Sequence, residues 1–396
     1  MEKRKKKTEE EEEEQAAAAW ASFPSDLHRE VLSRVPYRSL CSFKCVSREW
    51  LALCSDPAVR KRSPQTLSGF FCLSRSGPLS VQGIRFLNLS GRGQPMVDPS
   101  LPFLRDYGDV VLLNCCGGIL LCSGWDRTME RGVYLVCNPA TKEIWAALPV
   151  PDTQNPGAPF VYGGDHDTYL CFDPAVPGRF AVFLISHIIN AVDVYSTDTG
   201  EWTSMVSGWG HDIELLDNEP GGIFFFNGTL HFSAYYCWQD SFDSEGNRID
   251  LLIPTLDTDS GAWRTIQMPA KAKGFIEFIG QSQGRLHVMQ LDHDNDGRIS
   301  VWVLQDYASG QWTLKHSLSI FELLGRPCRK PGEVYCLVSI HPERSLLFLA
   351  GGVKPEETLM SYDMDNNKLN VICSLEEYDM RTFHPYTPCF AEWSSA

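Results

Sequence analysis

The chain has 396 residues, 43% of them hydrophobic, and a formal net charge of −15, so it has room for two or more domains and a substantial core. The first 14 residues carry five basic and seven acidic side chains, which leaves a net charge of −13 for the remainder. That excess of negative charge argues against broad nucleic-acid binding, because phosphates require a positive surface. No apolar run is long enough for a spanning helix, and the charged start is unlike a signal peptide, so we expect no membrane partner.

Residues 1–20 have low complexity, with a basic run (Lys3–Lys7), an acidic run (Glu9–Glu14) and four alanines. The basic run has two interpretations: a nuclear import signal, or part of a solvated, disordered tail in which the acidic run masks it. Either interpretation is compatible with a cytoplasmic or nuclear protein, or one present in both compartments. The 14 cysteines form no CxxC pair and no zinc-finger spacing, which favours reduced, buried thiols and predicts no metal and no cofactor.

Three short helical patterns lie between residues 23 and 57. Ser25 is a candidate N-cap, and the apolar residues Leu27, Val31 and Val35 that follow recur at helical spacing. Pro36 ends this pattern. Ser39 restarts it, Ser47 is a candidate cap for a third helix, and Asp56-Pro57 follows with another cap signal. A segment this short cannot bury all its apolar side chains by itself.

This segment resembles the F-box, and it is especially similar to the F-boxes of plant proteins. The F-box docks a protein onto the Skp-type adaptor of a cullin-RING ubiquitin ligase. Phe23 stands where the family usually has leucine. The matching residues are Pro24, Asp26, Leu27, Glu30-Val31-Leu32, Leu40, Phe43-Lys44-Cys45-Val46-Ser47-Arg48, Trp50 and Ser55-Asp56-Pro57.

The resemblance implies a Skp-type adaptor and, through it, a cullin as partners. Residues 23–63 carry eight basic and four acidic side chains, and this net charge of +4 suits an acidic adaptor. The alternative is a small helical hairpin with no partner. By resemblance, the adaptor-binding residues are Pro24, Leu27, Leu32, Pro36, Leu40, Val46 and Trp50.

Beyond residue 65 the sequence changes to short β-type runs, and one unit recurs: an apolar strand, a polar turn and a tryptophan that starts the return strand on the buried face. The copies recur at a regular spacing, roughly 50 to 60 residues, which suits a four-stranded propeller blade. Phe70–Leu89 is expected to supply one more blade, and Pro388–Trp393 a closing strand. The copies are Val133–Trp145, Val192–Trp202, Leu252–Trp263, Val301–Trp312 and a degenerate Leu359–Leu369.

These repeats resemble the F-box-associated and kelch-like domains of plant F-box proteins, with double glycines at 117–118, 221–222 and 351–352. The predicted fold class is therefore multidomain, α plus all-β: a short three-helix F-box followed by a β-propeller-like repeat domain of about six blades. An irregular β-sandwich is the alternative. The expected domains are a disordered tail (1–20), the F-box (21–65) and a substrate-binding propeller (66–396).

The run Asp292-His293-Asp294-Asn295-Asp296-Gly297 has the spacing of the first half of a calcium loop. The EF-hand interpretation fails, because Val303 stands where a bidentate glutamate is needed and because the flanks are typical of strands. Two interpretations stay open: a calcium-binding β-hairpin loop and a plain acidic turn, of which the turn is favoured.

No motif predicts an enzyme. The His-Asp clusters at His211-Asp212 and 163–167 are interpreted as loops, because sequence adjacency does not show that catalytic groups converge. Loops on a propeller rim are better candidates for binding a protein target. The candidate substrate-binding residues are Trp209, His211, Tyr236 and Trp238, and the segment Asp379–Tyr386 is a further candidate loop.

The sequence thus favours a non-catalytic substrate-recognition subunit of a ubiquitin ligase, which binds an unidentified protein target. Two alternatives stay open: an F-box-containing scaffold that acts outside ubiquitination, and a propeller enzyme such as a glycan hydrolase, which would need carboxylates converging in a central pocket.

Overall fold

The structure is a computed structural model. It describes residues 24–35, 39–40, 43–56, 58–59, 66–75, 83–89, 97–151, 166–174, 176, 178–186, 191–208, 213–215, 222–236, 251–269, 272, 275–292, 297–326, 330–379, 382–390 and 393. The chain divides into two compact units, Met1–Thr66 and Leu67–Ala396.

Two helices of the first unit are described from end to end, α1 (Ser25–Leu32) and α2 (Arg48–Ser55). The prediction that Ser25 caps α1 is wrong: Pro24 holds the N-cap position, makes no side-chain cap, and leaves Ser25 as the first helical residue. Ser47 does cap α2, because its hydroxyl accepts the backbone N–H of Trp50 at 3.2 Å.

The middle helix of the predicted three stays a prediction. Ser39, Leu40 and Phe43 are helical, but residues 41–42 between them lie outside the described part. The cap signal at Asp56 is confirmed, since its carboxylate accepts the backbone N–H of Ala58 at 2.9 Å. One further α-helix is described from end to end, the single turn α3 (Ile320–Leu323).

The second unit is built from 25 described strands in six antiparallel sheets. The strands are β1 (Gly69–Leu73), β2 (Ile84–Asn88), β3 (Tyr107–Cys116), β4 (Ile119–Asp126), β5 (Arg131–Asn138), β6 (Glu143–Pro149), β7 (His166–Phe172), β8 (Phe180–Ser186), β9 (Ala191–Ser196), β10 (Glu201–Val206), β11 (Ile213–Leu215), β12 (Ile223–Phe226), β13 (Thr229–Phe232), β14 (Ala234–Tyr236), β15 (Leu251–Asp257), β16 (Trp263–Gln267), β17 (Phe275–Ser282), β18 (Arg285–Asp292), β19 (Arg298–Asp306), β20 (Gln311–Ser319), β21 (Glu333–Ile340), β22 (Leu346–Val353), β23 (Thr358–Asp363), β24 (Lys368–Ser374) and β25 (His384–Tyr386).

Four sheets are simple meanders of four consecutive strands: blade 1 (β3–β6), blade 2 (β7–β10), blade 4 (β17–β20) and blade 5 (β21–β24). The first strands of successive blades contact one another in the order β25, β3, β7, β12, β17, β21. The last strands β10, β20 and β24 are largely exposed and form the outer edges. A ring of six sheets with first strands innermost is a six-bladed β-propeller, as the sequence predicted.

Alternating strand direction gives the ring two faces. The turns between strands 1 and 2 and between strands 3 and 4 of each blade lie on one face, which we call the turn face. The connections between strands 2 and 3, and from strand 4 to the next blade, lie on the other, which we call the loop face. The strand ends that are joined by the connections 150–165, 207–222 and 237–250 lie on the loop face.

The closing blade, blade 6, joins distant parts of the chain in the order β2-β1-β25. Gly69 pairs with Tyr386 and Phe71 with His384, so the C-terminal strand β25 takes the innermost position beside the early strands. The prediction that Phe70–Leu89 contributes to a blade is confirmed, but Pro388–Trp393 is not the closing strand. Residues 387–390 have no regular structure, and the pairing occurs earlier, where His384 and Tyr386 are buried.

The five predicted tryptophan-type hairpins are confirmed as the pairs β5–β6, β9–β10, β15–β16, β19–β20 and β23–β24. Each turn is stabilised by a side-chain oxygen at the end of the third strand, which accepts backbone N–H groups two or three residues later. The carboxylate of Asp257 accepts the N–H of Ser260 at 2.7 Å, and that of Asp306 accepts the N–H of Ser309 at 3.1 Å. Glycine with positive φ then follows at Gly200, Gly261 and Gly310.

The tryptophans that follow these turns lie between blades instead of within one. Only Trp145 is buried, and the other three are half-buried. The indole N–H of Trp202 donates to the carbonyl oxygen of Pro149 at 2.8 Å, and that of Trp312 donates to Gln267 at 3.1 Å. Each acceptor lies at the end of the outer strand of the preceding blade, so the repeat residue links neighbouring blades.

Blade 3 is larger than the others, with six strands in the order β11-β14-β15-β13-β12 and β16 beside β15. Strand β14 continues β13 past Ser233, and the short β11 pairs with β14 through Ile213–Tyr236 and Leu215–Ala234. The extra pair extends blade 3 on the loop face.

The double glycines do not occupy equivalent places in the blades. Gly117-Gly118 is the turn between β3 and β4, Gly222 precedes β12, and Gly351-Gly352 lies within β22. They are therefore not one repeated motif, and the kelch-like and F-box-associated character of the propeller stays a prediction.

Candidate docking surfaces

Four large apolar side chains are exposed between residues 27 and 51, whereas the described residues of the much longer propeller expose eight. Their exposed fractions are 47% for Leu27, 44% for Val31, 65% for Val46 and 48% for Leu51. Leu27 and Val31 stand four residues apart on α1 and so share one face of that helix. We call these four residues the apolar surface.

An ion pair joins α1, which carries Leu27 and Val31, to the end of α2, which carries Leu51. Arg29 Nε lies 2.8 Å from Asp56 Oδ2 and so joins α1 to the residue that ends α2, while its Nη1 lies 3.2 Å from Asp26 Oδ1. The hydrogen bond from Arg29 holds the pKa of the Asp56 carboxyl below its ordinary value. Such exposed pairs contribute little to stability, because solvent screens their charges, but they fix the approach of the two helices.

The predicted adaptor-binding residues fall into two groups. Pro24, Leu27 and Val46 are exposed, whereas Leu32 and Leu40 are fully buried and have a packing role in this conformation. Their contact with an adaptor stays a prediction in both groups.

Trp50 and Pro36 are the other two predicted adaptor-binding residues. Trp50 is half-buried against Phe43, with ring centroids 5.4 Å apart in an edge-to-face arrangement. Pro36 lies outside the described residues. Sequence reasoning missed Val31 and Leu51 as exposed positions, although the i, i+4 relation of Val31 to Leu27 was the available signal.

The predicted substrate-binding residues lie mostly outside the described part of the chain, namely Trp209, His211 and Trp238. Tyr236 is the last residue of β14, and it pairs with Ile213, the first residue of β11. Among the residues that the structure describes, this pairing lies at the loop-face extension of blade 3. Sequence alone did not reveal this pairing.

The third candidate loop, Asp379–Tyr386, is part of the ring closure. The backbone N–H of Asp379 donates to the carbonyl of Leu73 at 2.9 Å, and Thr382 Oγ1 accepts from Leu73 N at 2.9 Å. Its last three residues form β25. The prediction that this segment is a rim loop is therefore wrong for Thr382–Tyr386, whose residues are mostly buried.

Buried titratable groups in the propeller serve packing. His231 Nε2 lies 2.6 Å from the hydroxyl of Tyr307 in the next blade, and its Nδ1 lies 3.2 Å from the Phe224 carbonyl oxygen. Burial lowers the pKa of His231 to about 4, so the ring is neutral at physiological pH.

Acidic groups on the inner strands are likewise paired. Glu277 Oε2 accepts the backbone N–H of Leu337 in the neighbouring blade at 2.8 Å, and Glu333 pairs with Arg326 and Tyr335. These contacts give no support to a hydrolase with converging carboxylates. Among the residues that the structure describes, no group of three or more His, Cys, Asp or Glu side chains could hold a metal ion.

The acidic run at 292–297 connects β18 to β19, so its flanks are strands, as the sequence predicted. Asp292 is buried and Gly297 has a positive φ of 62°, which suits a turn. Residues 293–296 lie outside the described part, and calcium binding there stays a prediction. The second predicted His-Asp loop is corrected, since His166-Asp167 begins β7.

Comparison with known proteins connects the helical segment to a family. The family model of the F-box domain matches residues 20–62. The chain is 36% identical over 320 residues to the Putative F-box protein At1g47790 of Arabidopsis thaliana, covering 76% of this chain and 72% of that protein. It is also 25% identical over 315 residues to the F-box protein At5g49610 of the same plant, covering 76% and 80% of the two chains.

Solved structures add a weaker likeness. The β-propeller domain of the trilobed protease from Pyrococcus furiosus superposes with a TM-score of 0.33 at 9% identity, covering 67% of this chain and 69% of that one. A TM-score this low supports no conclusion about activity. No helix within the described ranges is long and apolar enough to cross a membrane.

Proposed function

The chain belongs to the F-box protein family, and from that premise we propose that it is the substrate-recognition subunit of a Skp-cullin-F-box ubiquitin ligase. In this proposal the helical segment docks onto a Skp-type adaptor and through it a cullin. The propeller, proposed to span residues 66–396, binds a protein target for ubiquitination and degradation. The complex would act in the cytoplasm, the nucleus or both.

The observation that carries the proposal is the apolar surface within the region matched by the F-box family model. Leu27, Val31, Val46 and Leu51 are each at least 44% exposed, and all four lie in one short segment of the chain. Covering such side chains removes apolar area from water at about 25 cal/mol per Å², so a partner surface has a clear driving force. The net charge of +4 over residues 23–63 would orient an acidic adaptor.

The proposed contribution to ubiquitin transfer is proximity. In this proposal the helical segment holds the ligase and the propeller holds the target, so the two reactants meet at a raised effective concentration. The conjugating enzyme supplies the covalent chemistry, and no residue of this chain is assigned a catalytic role.

The test uses the full chain with Leu27→Asp and Val46→Asp and measures pull-down by a purified Skp-type adaptor. Both residues are exposed, so the change places charge in the proposed interface without disturbing a core. We expect binding to weaken at least about a hundredfold, in line with the loss of two central apolar contacts. Val206→Asp is the matched control, because Val206 is an exposed valine on the propeller strand β10 and should leave binding unchanged.

Unchanged adaptor pull-down in the double variant would overturn the docking assignment. Circular dichroism would show whether the variant keeps its helices. Recovery of a cullin with the wild-type complex distinguishes a ligase subunit from a scaffold that uses the same docking segment for another assembly.

A further inference from the structure

The chain continues beyond the strand that closes the ring. The closing pairing ends at Tyr386, whose carbonyl oxygen accepts the backbone N–H of Ser68 at 2.9 Å. We call residues 387–393 the trailing segment. Within it, residues 387–390 and 393 are described and have no regular secondary structure. The pairing that closes the ring is therefore complete before the trailing segment begins.

The trailing segment crosses the turn-face end of blade 1. Gly118, in the turn between β3 and β4, lies so close to it that an added Cβ atom would collide with the Thr387 carbonyl oxygen. Asn138, the last residue of β5, donates from Nδ2 to the carbonyl oxygen of Cys389 at 3.0 Å. The side chain of Cys389 is buried in the apolar cluster that blades 1 and 2 share. The segment thus passes from the first turn of blade 1 towards its outer strands.

Trp393 lies against aromatic side chains of two blades. Its indole stacks on that of Trp145 in β6, with ring centroids 5.2 Å apart and planes inclined by 18°. It also lies 5.2 Å from the ring of Phe180, the first residue of β8 in blade 2. Trp145 and Phe180 are buried, whereas Trp393 is half-buried and so covers them from the solvent side. We call Gly118, Asn138, Trp145 and Phe180 the seat.

The trailing segment contacts the seat in the way that a bound peptide does. Its contacts include a propeller side chain bonded to its main chain, a small side chain that is buried and an aromatic side chain that is stacked. A main-chain carbonyl is present in every peptide, so the two side chains would provide the selectivity.

The seat also has hydrogen-bonding capacity that the trailing segment leaves unused. The indole nitrogen of Trp145 is buried and, among the described residues, has no hydrogen-bond partner. A buried donor without an acceptor costs free energy. A ligand that supplied an acceptor to Trp145 would therefore bind better than the chain's own segment does.

We propose that the seat binds an extended peptide of a target protein, and that the trailing segment occupies it until such a peptide takes its place. The peptide would carry a small apolar side chain at the position of Cys389 and a tryptophan four residues later, at that of Trp393. Tryptophan suits the anchor position, because stacked and buried aromatic side chains dominate interface energetics. This inference rests on the proposed function and specifies the class of target.

The experiment measures fluorescence anisotropy of a fluorescein-labelled peptide with the sequence of residues 387–396, in which Cys389→Ala prevents oxidation. It is added to the full chain and to the full-chain variant Trp393→Ala, whose own segment has lost its anchor. We expect the variant to bind the peptide at least about tenfold more tightly than the wild type, because an attached segment competes at a high effective concentration. A second peptide that also carries Trp393→Ala should bind the variant about tenfold more weakly.

Trp312→Ala is the matched control. Trp312 is also half-buried, but its indole N–H bonds to Gln267 of blade 3 and it does not belong to the seat. This variant should bind the peptide as weakly as the wild type does. Trp393→Ala should also lower the midpoint of thermal unfolding by less than Phe232→Ala, because Phe232 is fully buried.

Equal peptide affinity of the wild type and Trp393→Ala would overturn the proposal, and so would equal affinity for a peptide with the same residues in scrambled order. A loss of stability in Trp393→Ala as large as that in Phe232→Ala would overturn it as well, because the trailing segment would then be part of the core. Dimerisation of the wild type that Trp393→Ala abolishes would assign the seat to a second copy instead of a target.

The adaptor pull-down is repeated with Trp393→Ala. Retained pull-down without a gain in peptide affinity places the failure in this inference and not in the ligase assignment.

Discussion

The helical segment exposes large apolar side chains much more densely than the propeller does. Between Leu27 and Leu51 four large apolar residues are exposed. The described part of the much longer propeller exposes eight and buries most of its apolar residues in clusters, several of which combine residues of neighbouring blades. The two regions also differ in charge, with +4 over residues 23–63 and −17 over residues 67–396. A short segment with this many exposed apolar side chains is suited to being covered by a partner, whereas the ring buries most of its apolar residues by itself.

The largest effect is expected when a large buried side chain of the propeller is replaced by a small one. This change tests whether the propeller and the helical segment have separate roles. Phe232 is fully buried in a cluster shared by blades 2 and 3, so Phe232→Ala should lower the free energy of unfolding of the propeller by about 3 to 5 kcal/mol. Chemical denaturation followed by tryptophan fluorescence measures this change. The variant should keep its adaptor binding under conditions where it stays folded, and loss of adaptor binding there would contradict the separation of roles.

Acid should destabilise the propeller through its buried histidines. Burial lowers the pKa of His231 and of His384 to about 4, from an ordinary value of 6.5. Above pH 6.5 each ring is neutral whether folded or unfolded, and between pH 6.5 and 4 only the unfolded chain binds the proton. The free energy of unfolding therefore decreases as pH falls through this window, by at most about 3 kcal/mol per histidine.

The matched variant for this effect is His384→Phe, which keeps an aromatic ring in β25 and removes one titrating group. Urea denaturation at a series of pH values should give a shallower dependence between pH 6.5 and 4.5 than in the wild type. A slope identical to that of the wild type would show that His384 is not the group that couples protonation to unfolding.

The smallest expected effect concerns the tryptophans between blades. Trp202→Phe and Trp312→Phe each remove one indole N–H bond to a carbonyl of the preceding blade and should cost about 1 kcal/mol. Trp145→Phe serves as the comparison, because its buried indole nitrogen has no hydrogen-bond partner. Thermal unfolding should show a smaller loss of stability for Trp145→Phe than for the other two variants, because Trp145→Phe removes no hydrogen bond. Equal losses of stability would argue against the link between blades.

Local signals explain what the sequence could predict. The residues that form each glycine-tryptophan turn and the two strands that it joins lie within about a dozen residues of sequence. The hairpins, and from their spacing the number of blades, were therefore predictable. Ser25 was misassigned because serine is common both at the N-cap and just inside a helix, and only the backbone angles of Pro24 distinguish the two.

Features that depend on distant pairing were not predictable. β25 pairs with β1, which lies at the opposite end of the propeller sequence, and its three residues, one of them proline, carry no strand signal of their own. The Ile213–Tyr236 pairing that extends blade 3 likewise joins two short runs. The exposure of Val31 and Leu51 depends on how the helices pack, which periodicity alone leaves undetermined.

The three-stranded closing blade sets an order of events during synthesis. β1 and β2 leave the ribosome soon after the helical segment, but their inner partner β25 is made after the other 24 strands. Until then the inner edge of β1 has unpaired backbone groups that invite misassociation. A nascent chain can therefore present its helical segment well before it has a closed ring. A chain arrested before His384 would have the helical segment without the closed ring.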